Sequence, residues 1–327
     1  MLMVVLSSIV IAAVTSWGLL GALIPQLSRR LLDQPNARSS HRRPTPRGGG
    51  IAFVLVATAA SLLALGSGDR STTATLPLIA LPLALVGFLD DRHNLPASWR
   101  YGVQLATALG LILLSPLPFP WLALPLLLIA ATAVINFTNF MDGLDGLVAG
   151  CMAIALSALT LKLSAPWPLW ALVGALLGFL LWNWNPAKVF MGDVGSTFLG
   201  AVFAGLVLQA PSWPETLGSL LVATPLVADA CLCVPRRLKA GQPVFQAHRL
   251  HLFQRLHQAG WSHGQVAGLY ISATAASAIA LLWGGWQAVL TLAAVELLVG
   301  LWLDQRVAVP FATALAGTRA HQPVVPE

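Results

Sequence analysis

The chain has 327 residues, of which 57% are apolar and only 9% are charged, and its mean hydropathy is +0.77. This composition excludes an ordinary soluble domain and indicates a helical protein that crosses a membrane several times. The net charge of +6 is accompanied by no nucleic-acid-binding motif, so we expect no nucleic-acid partner.

The apolar stretches predict eleven membrane spans. Residues 1–28 hold no charged side chain and no basic leader region, which favours a first span over a cleaved signal peptide. The other ten lie at about 48–68, 72–89, 101–117, 121–140, 146–161, 165–182, 196–210, 215–233, 264–283 and 286–303. The expected fold class is an all-α polytopic bundle of ten or eleven transmembrane helices, with 1–303 as one domain and 304–327 as a dispensable cytoplasmic tail.

The distribution of basic residues sets the expected orientation. If the N-terminus lies outside, sixteen of the eighteen Lys and Arg residues fall on inside segments, and only Arg70 and Lys162 do not. The same topology places six aspartates on the inside face. They are Asp90, Asp91, Asp142, Asp145, Asp193 and Asp229. We therefore expect the working polar residues of the chain to lie on the cytoplasmic side of the membrane.

The three cysteines are interpreted as packing residues. Cys151, Cys231 and Cys233 lie in or at the ends of spans, and the C-x-C pair has neither zinc-site nor redox spacing.

The loop between the first two spans is a candidate phosphate-binding segment. It combines two prolines, three glycines at 48–50 and the polar residues Thr45 and Arg47. Its five candidate cations are Arg38, His41, Arg42, Arg43 and Arg47. Backbone N–H groups before a helix could contact a phosphate there. The alternative is a juxtamembrane loop that sets topology and contacts anionic lipid.

Adjacent carboxylates end the third span. Asp90 and Asp91 repel each other, so they need a metal, an arginine partner or a shared proton. A solvated helix end is the alternative, and it would require Arg92 and Arg100 as compensation.

Polar residues recur at every third position after the fifth span. On a helix, Asn139, Asp142 and Asp145 would form a stripe whose oxygens suit Mg²⁺ or Mn²⁺. A plain turn would explain the two Asp-Gly pairs but not the asparagines that enter from the apolar side.

A second acidic segment precedes the eighth span. Asp193, between Gly192 and Gly195, is close to a helix N-cap position, and Lys188 supplies a charge suited to a phosphate. Simple capping is the alternative, and it is compatible with metal binding.

Four motifs together resemble one enzyme family. PTPRGGG at 44–50, FLDDR at 88–92, NFTNFMDGLDG at 136–146 and NPAKVFMGDVGS at 185–196 are similar, in order and spacing, to the polyprenyl-phosphate N-acetylhexosamine-1-phosphate transferases of glycosyltransferase family 4. The resemblance covers roughly residues 29–265. Phospho-N-acetylmuramoyl-pentapeptide transferase and the O-antigen-initiating enzymes are among the relatives.

The resemblance implies a reaction between a cytosolic and a membrane-bound substrate. Undecaprenyl (polyprenyl) phosphate would attack the β-phosphorus of a UDP-N-acetylhexosamine, release UMP and form a polyprenyl-pyrophosphoryl sugar. It implies Mg²⁺, with Mn²⁺ as an alternative, held by Asp193 and Asn139. Membrane lipid is a further expected partner, and the oligomeric state stays open, with a homodimer as one alternative.

The resemblance also assigns the remaining site residues. Gly143, Leu144 and Asp145 would lie beside the uracil, Phe190 would stack on it, and Asn183 would lie near the nucleoside. One of Asp90 and Asp91 would be a base toward the lipid phosphate, which is the leading hypothesis. The alternatives are a covalent nucleophile, or a residue that orients the lipid phosphate, a cation or Arg100. We assign Thr45, Arg47, Arg100, Asp142, Lys188, Arg249 and His251 to phosphate or substrate binding.

The last loop departs from the family's H-x-H-H cluster. Only His251 matches it, because Phe253 and Gln254 replace the last two histidines. This form is similar to O-antigen-initiating members, including those that use 6-deoxy sugars such as N-acetylfucosamine or N-acetylquinovosamine. His248, His257 and His263 are not assigned a role.

Two alternatives stay open. One is the pentapeptide transferase of peptidoglycan synthesis, which carries the full histidine cluster. The other is a membrane transporter, which predicts charges at bilayer depth, where only Glu296 lies.

Overall fold

The computed structural model describes residues 2–35, 39–41, 43–242 and 248–320, and the side chains of all of these except 317–320. Arg38 and Arg42 of the predicted phosphate loop, and the end of the predicted tail, lie outside the described residues. Thirteen α-helices account for most of the described chain. They are α1 (Leu2–Arg30), α2 (Ile51–Gly66), α3 (Thr72–His93), α4 (Ala97–Leu113), α5 (Leu124–Phe140), α6 (Leu147–Lys162), α7 (Trp167–Asn183), α8 (Asp193–Leu208), α9 (Trp213–Leu221), α10 (Thr224–Lys239), α11 (Leu252–Gln258), α12 (His263–Arg306) and α13 (Phe311–Ala320).

The remaining regular structure is small. A 3₁₀ turn at Trp121–Ala123 leads into α5, and two short antiparallel strands, β1 (Leu32–Asp33) and β2 (Thr45–Pro46), pair in the loop after α1. The expected all-α membrane fold is therefore confirmed. Each predicted apolar stretch lies on a helix.

Not every helix is long enough to cross a membrane by itself. By length and composition, four described helical segments could do so: α1, α3, the turn with α5, and α12. The pair α9 and α10, predicted as one span, is bent by 86° and would make a fifth. Helices α2, α6 and α8 have 16 residues, or roughly 24 Å at 1.5 Å per residue, which is shorter than the hydrocarbon core.

Helix α12 contains two antiparallel arms. Gly285 has non-helical backbone angles, φ 69° and ψ −164°, within the segment. Ser277 donates a hydrogen bond of 2.9 Å to Glu296, although nineteen residues of straight helix would separate them by roughly 28 Å. The predicted spans 264–283 and 286–303 are these two arms, and the intramembrane Glu296 is bonded within the hairpin.

Helix α8 is the centre of the bundle. All of its residues from Val194 to Leu208 are buried, and it packs against α3 and α5. Asp193, at its N-terminus, is thereby fixed where the neighbouring helices end. On the outside of the bundle, α1 packs on α7, where Gly174 and Gly178 leave no room for a Cβ against the backbone of Ile9 and Ala13.

The C-terminal segment is bound to the rest of the molecule. Asp304 forms ion pairs with Arg236 and with the buried Arg255, and Arg255 also donates to the carbonyl of Val309 at 2.9 Å. The guanidinium of Arg255 lies 5.9 Å from the ring centre of Phe311. These contacts hold the start of this segment against the bundle, and the dispensability of residues 304–327 stays a prediction.

Candidate active site

A polar cleft opens where α3, α5, α7 and α10 end and α4 and α8 begin. Its volume is about 520 Å³. Predicted site residues on its wall are Arg47, Asp91, Arg100, Asn139, Asp142, Gly143, Leu144, Asp145, Asn183, Phe190, Asp193 and His251. The structure thus brings together residues that are as far apart in the sequence as Arg47 and His251.

One part of the wall is an acidic cluster formed by Asp91, Asn139, Asp142 and Asp193. The carboxylate of Asp193 is hydrogen-bonded to the side chain of Asn139. Burial, the charge of Asp193 and the charge of Asp145 raise the pKa of Asp142 to about 7, against an opposing hydrogen bond from the backbone of Gly192. The negative charges of Asp142 and Asp193 repel each other, and this repulsion is unfavourable unless a cation or bound protons compensate it.

The paired aspartates have different environments. Asp90 accepts a hydrogen bond of 2.8 Å from Arg100 and another of 2.7 Å from the backbone N–H of Leu95, so both of its oxygens are engaged. Asp91 is buried on the cleft wall, where it accepts from the backbone N–H of Val194 at 3.4 Å. Of the two, Asp91 is the one that lines the cleft.

Two arginines connect these carboxylates. Arg100 Nη1 lies 3.8 Å from Asp193 as well as 2.8 Å from Asp90, and Arg47 Nε lies 3.8 Å from Asp91. Arg47 also donates to the backbone carbonyl of Asp91. The side chains of both arginines are more than one third exposed, so they can reach a ligand in the cleft.

The glycines at 48–50 pack the backbone closely and do not form the predicted phosphate loop. The N–H groups of Gly49 and Gly50 donate to the carbonyls of Phe190 and Met191, each at 2.9 Å. A Cβ on Gly50 would lie 2.5 Å from the Cα of Gly195. The expectation that these N–H groups contact a phosphate is wrong for Gly49 and Gly50, because the chain before α8 already uses them.

The part of the wall that was predicted to bind the nucleotide is held by long-range hydrogen bonds. Asn183 is buried, accepts from the N–H of Gly146 at 3.1 Å and donates to the carbonyl of Val189 at 3.0 Å. Asp145 accepts from the N–H of Ala187 at 3.1 Å and lies 3.2 Å from Nδ1 of His263. Asn183 therefore joins the two loops that carry the motif residues.

An aromatic residue completes this side of the cleft. Phe190 meets the ring of His41 edge to face at 4.8 Å between ring centres, and both rings line the cleft. A planar ring on the wall is suited to stacking against a base.

A second part of the wall is a histidine cluster formed by Arg237, His248, His251 and Gln254. His251 Nδ1 lies 3.3 Å from Asp229, whose carboxylate also accepts from Tyr270 at 2.8 Å and from the N–H groups of Leu252 and Phe253 at 2.8 and 3.0 Å. The ionic partner of Asp229 is therefore His251.

The two histidines of this cluster differ in charge. Burial opposes the charged form of His251, but hydrogen bonding and charge from Asp229 and Cys233 together outweigh it and raise its pKa to about 9. Burial and the positive charges of His251 and Arg237 lower the pKa of His248 to about 3. At neutral pH, His251 is a cation and His248 is neutral.

Four predicted residues are not on the cleft wall. Asp90 is bonded to Arg100 and lies close enough to Asp193 for their charges to interact. Thr45 is buried, and its hydroxyl donates to the carbonyl of Arg43. Lys188 is exposed, with Nζ 5.1 Å from the ring centre of Trp182. Arg249 also lies outside the wall.

Sequence reasoning missed several residues of the wall. They include Tyr101, Gln104, Asn136, Arg237, His248, Gln254 and His263. Gln104 and Asn136 exchange two amide hydrogen bonds, of 2.8 and 3.3 Å, across α4 and α5. Amides inside apolar segments are a signal that could have found this pair.

The fold and the cleft define a multi-pass helical membrane protein with an enzyme-like site at one end of the bundle. Residues 73–210 match the model of glycosyl transferase family 4. The chain is 30% identical to a probable undecaprenyl-phosphate N-acetylglucosaminyl 1-phosphate transferase of Bacillus subtilis over 255 residues, which cover 71% of each protein.

Two other relatives have similar identity over longer alignments. A phospho-N-acetylmuramoyl-pentapeptide-transferase of Synechococcus sp. is 31% identical over 308 residues, covering 82% of this chain and 89% of the relative. A decaprenyl-phosphate N-acetylglucosaminephosphotransferase of Mycobacterium leprae is 32% identical over 301 residues, covering 76% and 75%. The chain belongs to glycosyl transferase family 4, and the family resemblance inferred from its motifs is confirmed.

Proposed function

We propose that this protein transfers an N-acetylhexosamine 1-phosphate from a UDP-sugar to undecaprenyl phosphate at the cytoplasmic face of the bacterial inner membrane. An oxygen of the lipid phosphate attacks the β-phosphorus of the UDP-sugar, and the bond from that phosphorus to the bridging oxygen breaks. The products are UMP and a polyprenyl-pyrophosphoryl sugar, the first intermediate of an O-antigen or related envelope glycan.

The observation that carries the proposal is the position of Asp193. It begins the buried central helix, is hydrogen-bonded to Asn139 and lies 3.8 Å from Arg100 in a cleft at the ends of the apolar helices. A membrane-bound phosphate and a cytosolic nucleotide can meet at such a place. Named relatives that act on polyprenyl phosphates support the same reading.

The oxygen donors of the acidic cluster fit Mg²⁺, with Mn²⁺ as the alternative. Asp193 and Asn139 would hold the ion, since Mg²⁺ prefers carboxylate and amide oxygens and commonly takes only one or two carboxylates besides phosphate and water. When bound, the ion would neutralise the charge that develops as UMP leaves. Asp142, on the same wall, would be ionised most readily beside a cation.

Asp91 and the two arginines would position the lipid phosphate. A phosphate monoester has its second pKa near 6, so at neutral pH it is mostly dianionic without a base. Arg47 and Arg100 are the cations that can bind it, and Asp91 and Asp90 hold those side chains. We therefore assign Asp91 mainly an orienting role, with a base role as the alternative.

The nucleoside would lie beside Gly143, Leu144 and Asp145, with its base on Phe190. Asp145 Oδ2 already accepts from Ala187, which leaves Oδ1 free to accept from an N–H of the base. Asn183 would act by fixing the loops rather than by direct contact. The cationic His251 would donate to the diphosphate from the other part of the wall.

The runner-up function is that of a phospho-N-acetylmuramoyl-pentapeptide transferase, which differs from our proposal in the sugar of the donor. A pentapeptide transferase among the relatives supports a muramoyl-pentapeptide donor. Against it, Phe253 and Gln254 stand where two histidines of that branch would be, and the ring of Phe253 is buried. We favour GlcNAc or a 6-deoxy-N-acetylhexosamine.

The test is UMP release by the purified protein in detergent with undecaprenyl phosphate and Mg²⁺. UDP-GlcNAc, UDP-GalNAc, UDP-N-acetylfucosamine, UDP-N-acetylquinovosamine and UDP-MurNAc-pentapeptide are supplied one at a time. We expect lipid-dependent UMP from one N-acetylhexosamine donor and none from the pentapeptide donor. UMP from the pentapeptide donor alone would establish the runner-up, and no lipid-dependent UMP from folded protein would contradict the reaction.

A further inference from the structure

Three side chains beside the cleft have the chemistry of a soft-metal site. They are Cys233 on α10, and His248 and His251 in the loop before α11. One ligand atom from each, the thiol sulfur and a ring nitrogen of each histidine, lies within 4.8 Å of the other two. In tetrahedral zinc sites the ligand atoms are roughly 3.3–3.7 Å apart, so binding requires them to close by about 1 Å.

The second observation is the state of His251. Its Nε2 is buried and has no hydrogen-bond partner among the described residues, while its Nδ1 lies 3.3 Å from Asp229. Metal-binding histidines very often place their second nitrogen on a carboxylate in this way, which fixes the ring and increases its basicity. Asp229 is itself held by Tyr270 and two backbone N–H groups. The ring is therefore oriented before any ligand arrives.

We propose that Cys233, His248 and His251 bind a divalent ion that prefers thiolate and imidazole ligands, with Zn²⁺ as its representative. The fourth position would face the cleft, whose wall includes both histidines. This site is chemically distinct from the oxygen donors around Asp193, because Mg²⁺ does not favour sulfur or nitrogen.

The charges balance when the thiol loses its proton. One Zn²⁺, the Cys233 thiolate and the Asp229 carboxylate sum to zero. Arg237 lies close enough to Cys233 for their charges to interact. Binding must also displace the proton on Nε2 of His251, so it releases protons to the solvent.

Occupation of this site has one consequence that rests on the proposed function. A metal on Nε2 removes the donor that His251 would offer to the diphosphate. Zn²⁺ should therefore inhibit the transfer even when Mg²⁺ is saturating, and a chelator that is selective for Zn²⁺ should restore activity. Cys233 itself takes no part in the transfer.

The test uses Co²⁺ as a spectroscopic substitute in the full-length protein with Mg²⁺ in excess. We expect about one equivalent to give a near-ultraviolet thiolate-to-cobalt band and intense visible bands of a tetrahedral ion, all displaced by Zn²⁺. Cys233→Ser should abolish the near-ultraviolet band, and His248→Gln should weaken binding at least ~10-fold. Cys231→Ser, which alters the exposed cysteine two residues away, is the matched control and should leave the spectrum unchanged.

Several results would overturn the site. They are the absence of a thiolate band in the native protein, the same band in Cys233→Ser, or its loss in Cys231→Ser. Retained unfolding temperature and UMP release in Cys233→Ser would show that the variant is folded. Because the cobalt spectrum needs no substrate, it tests the site even if the protein proves not to be a transferase.

Discussion

The acidic cluster and the histidine cluster line the same cleft but are built differently. In the acidic cluster, Asp142 and Asp193 face like charges, and Arg47 and Arg100 compensate only partly. Beside the histidine cluster, Asp229 accepts from four donors, one of which is the cationic His251, so its charge is satisfied within the protein. The acidic cluster therefore favours the proposed Mg²⁺, whereas the carboxylate beside the histidine cluster is already fully bonded and Nε2 of His251 stays available to a ligand.

Mutations in the two clusters should therefore have different effects: those in the acidic cluster should change activity, and that of Asp229 should change stability. Removing a charge from the acidic cluster should relieve repulsion and abolish catalysis. Removing the charge of Asp229 should leave its donors without an acceptor and weaken the fold.

The largest effect is expected for Asp193→Asn. UMP release should fall by at least ~10³-fold, because the change removes the charge that would hold the metal at the reacting phosphates. The unfolding temperature should stay the same or rise. Glu215→Gln is the control, since Glu215 pairs with Lys162 at the other end of the bundle, and it should keep near-native activity. If the Asp193→Asn enzyme stays active, Asp193 is not a ligand of the catalytic metal.

For Asp229→Asn, in contrast to Asp193→Asn, we expect the main effect on stability and a smaller effect on activity. We expect roughly 3 kcal/mol of destabilisation, because an amide cannot satisfy the buried donors or pair with His251. Activity should fall about tenfold, through the lost cation at His251. Thermal unfolding and UMP release measured on the same sample separate the two effects. A variant of native stability that has lost all activity would instead make Asp229 catalytic.

The response to Mg²⁺ should depend on pH through Asp142. The pKa of Asp142 is about 7 in the folded protein, against an ordinary value of 3.8. The protonated carboxyl therefore stabilises the folded state. This contribution is complete below about pH 4 and is lost as the pH rises through 7. A bound cation offsets that loss. The increase in unfolding temperature on adding Mg²⁺ should be larger at pH 8 than at pH 6, and Asp142→Asn should reduce the difference. An equal increase at both pH values would disagree with this account.

The smallest effect is expected for Lys188→Ala. The sequence pattern assigned Lys188 to a phosphate, but its side chain is exposed over Trp182 and away from the cleft wall. Activity should change by less than about twofold, as for most exposed substitutions away from a site. A KM increase for the UDP-sugar of more than about tenfold, or 1.4 kcal/mol, would restore the original assignment.

The sequence predicted the parts of this molecule that depend on local pattern. Apolar stretches located the helices, and the motif around Asp193 and Asn139 located the acidic cluster. The sequence did not predict which segments pack against each other. Glycines at 48–50 signal that something approaches the backbone closely, and only the structure shows that it is the chain before α8.

The sequence also did not predict contacts between residues that are far apart in the chain. Asp229 and His251 are 22 residues apart, with a loop between them, and no periodicity connects them. The break at Gly285 was placed correctly between two predicted spans, because a Gly-Gly pair interrupts the apolar pattern there. The bend between α9 and α10 lies just before Pro225, and a proline inside an apolar run is a sequence signal for a kinked or broken helix.

The most direct test follows the β-phosphorus of the donor. The purified protein is given undecaprenyl phosphate, Mg²⁺ and the accepted UDP-sugar labelled with ³²P at the β-phosphate. The account predicts that the label moves with the sugar into the lipid fraction, and that the nucleotide product is unlabelled UMP. Labelled UDP left in the aqueous phase, with only the sugar on the lipid, would show that the β-phosphorus is not attacked and would contradict the proposed reaction.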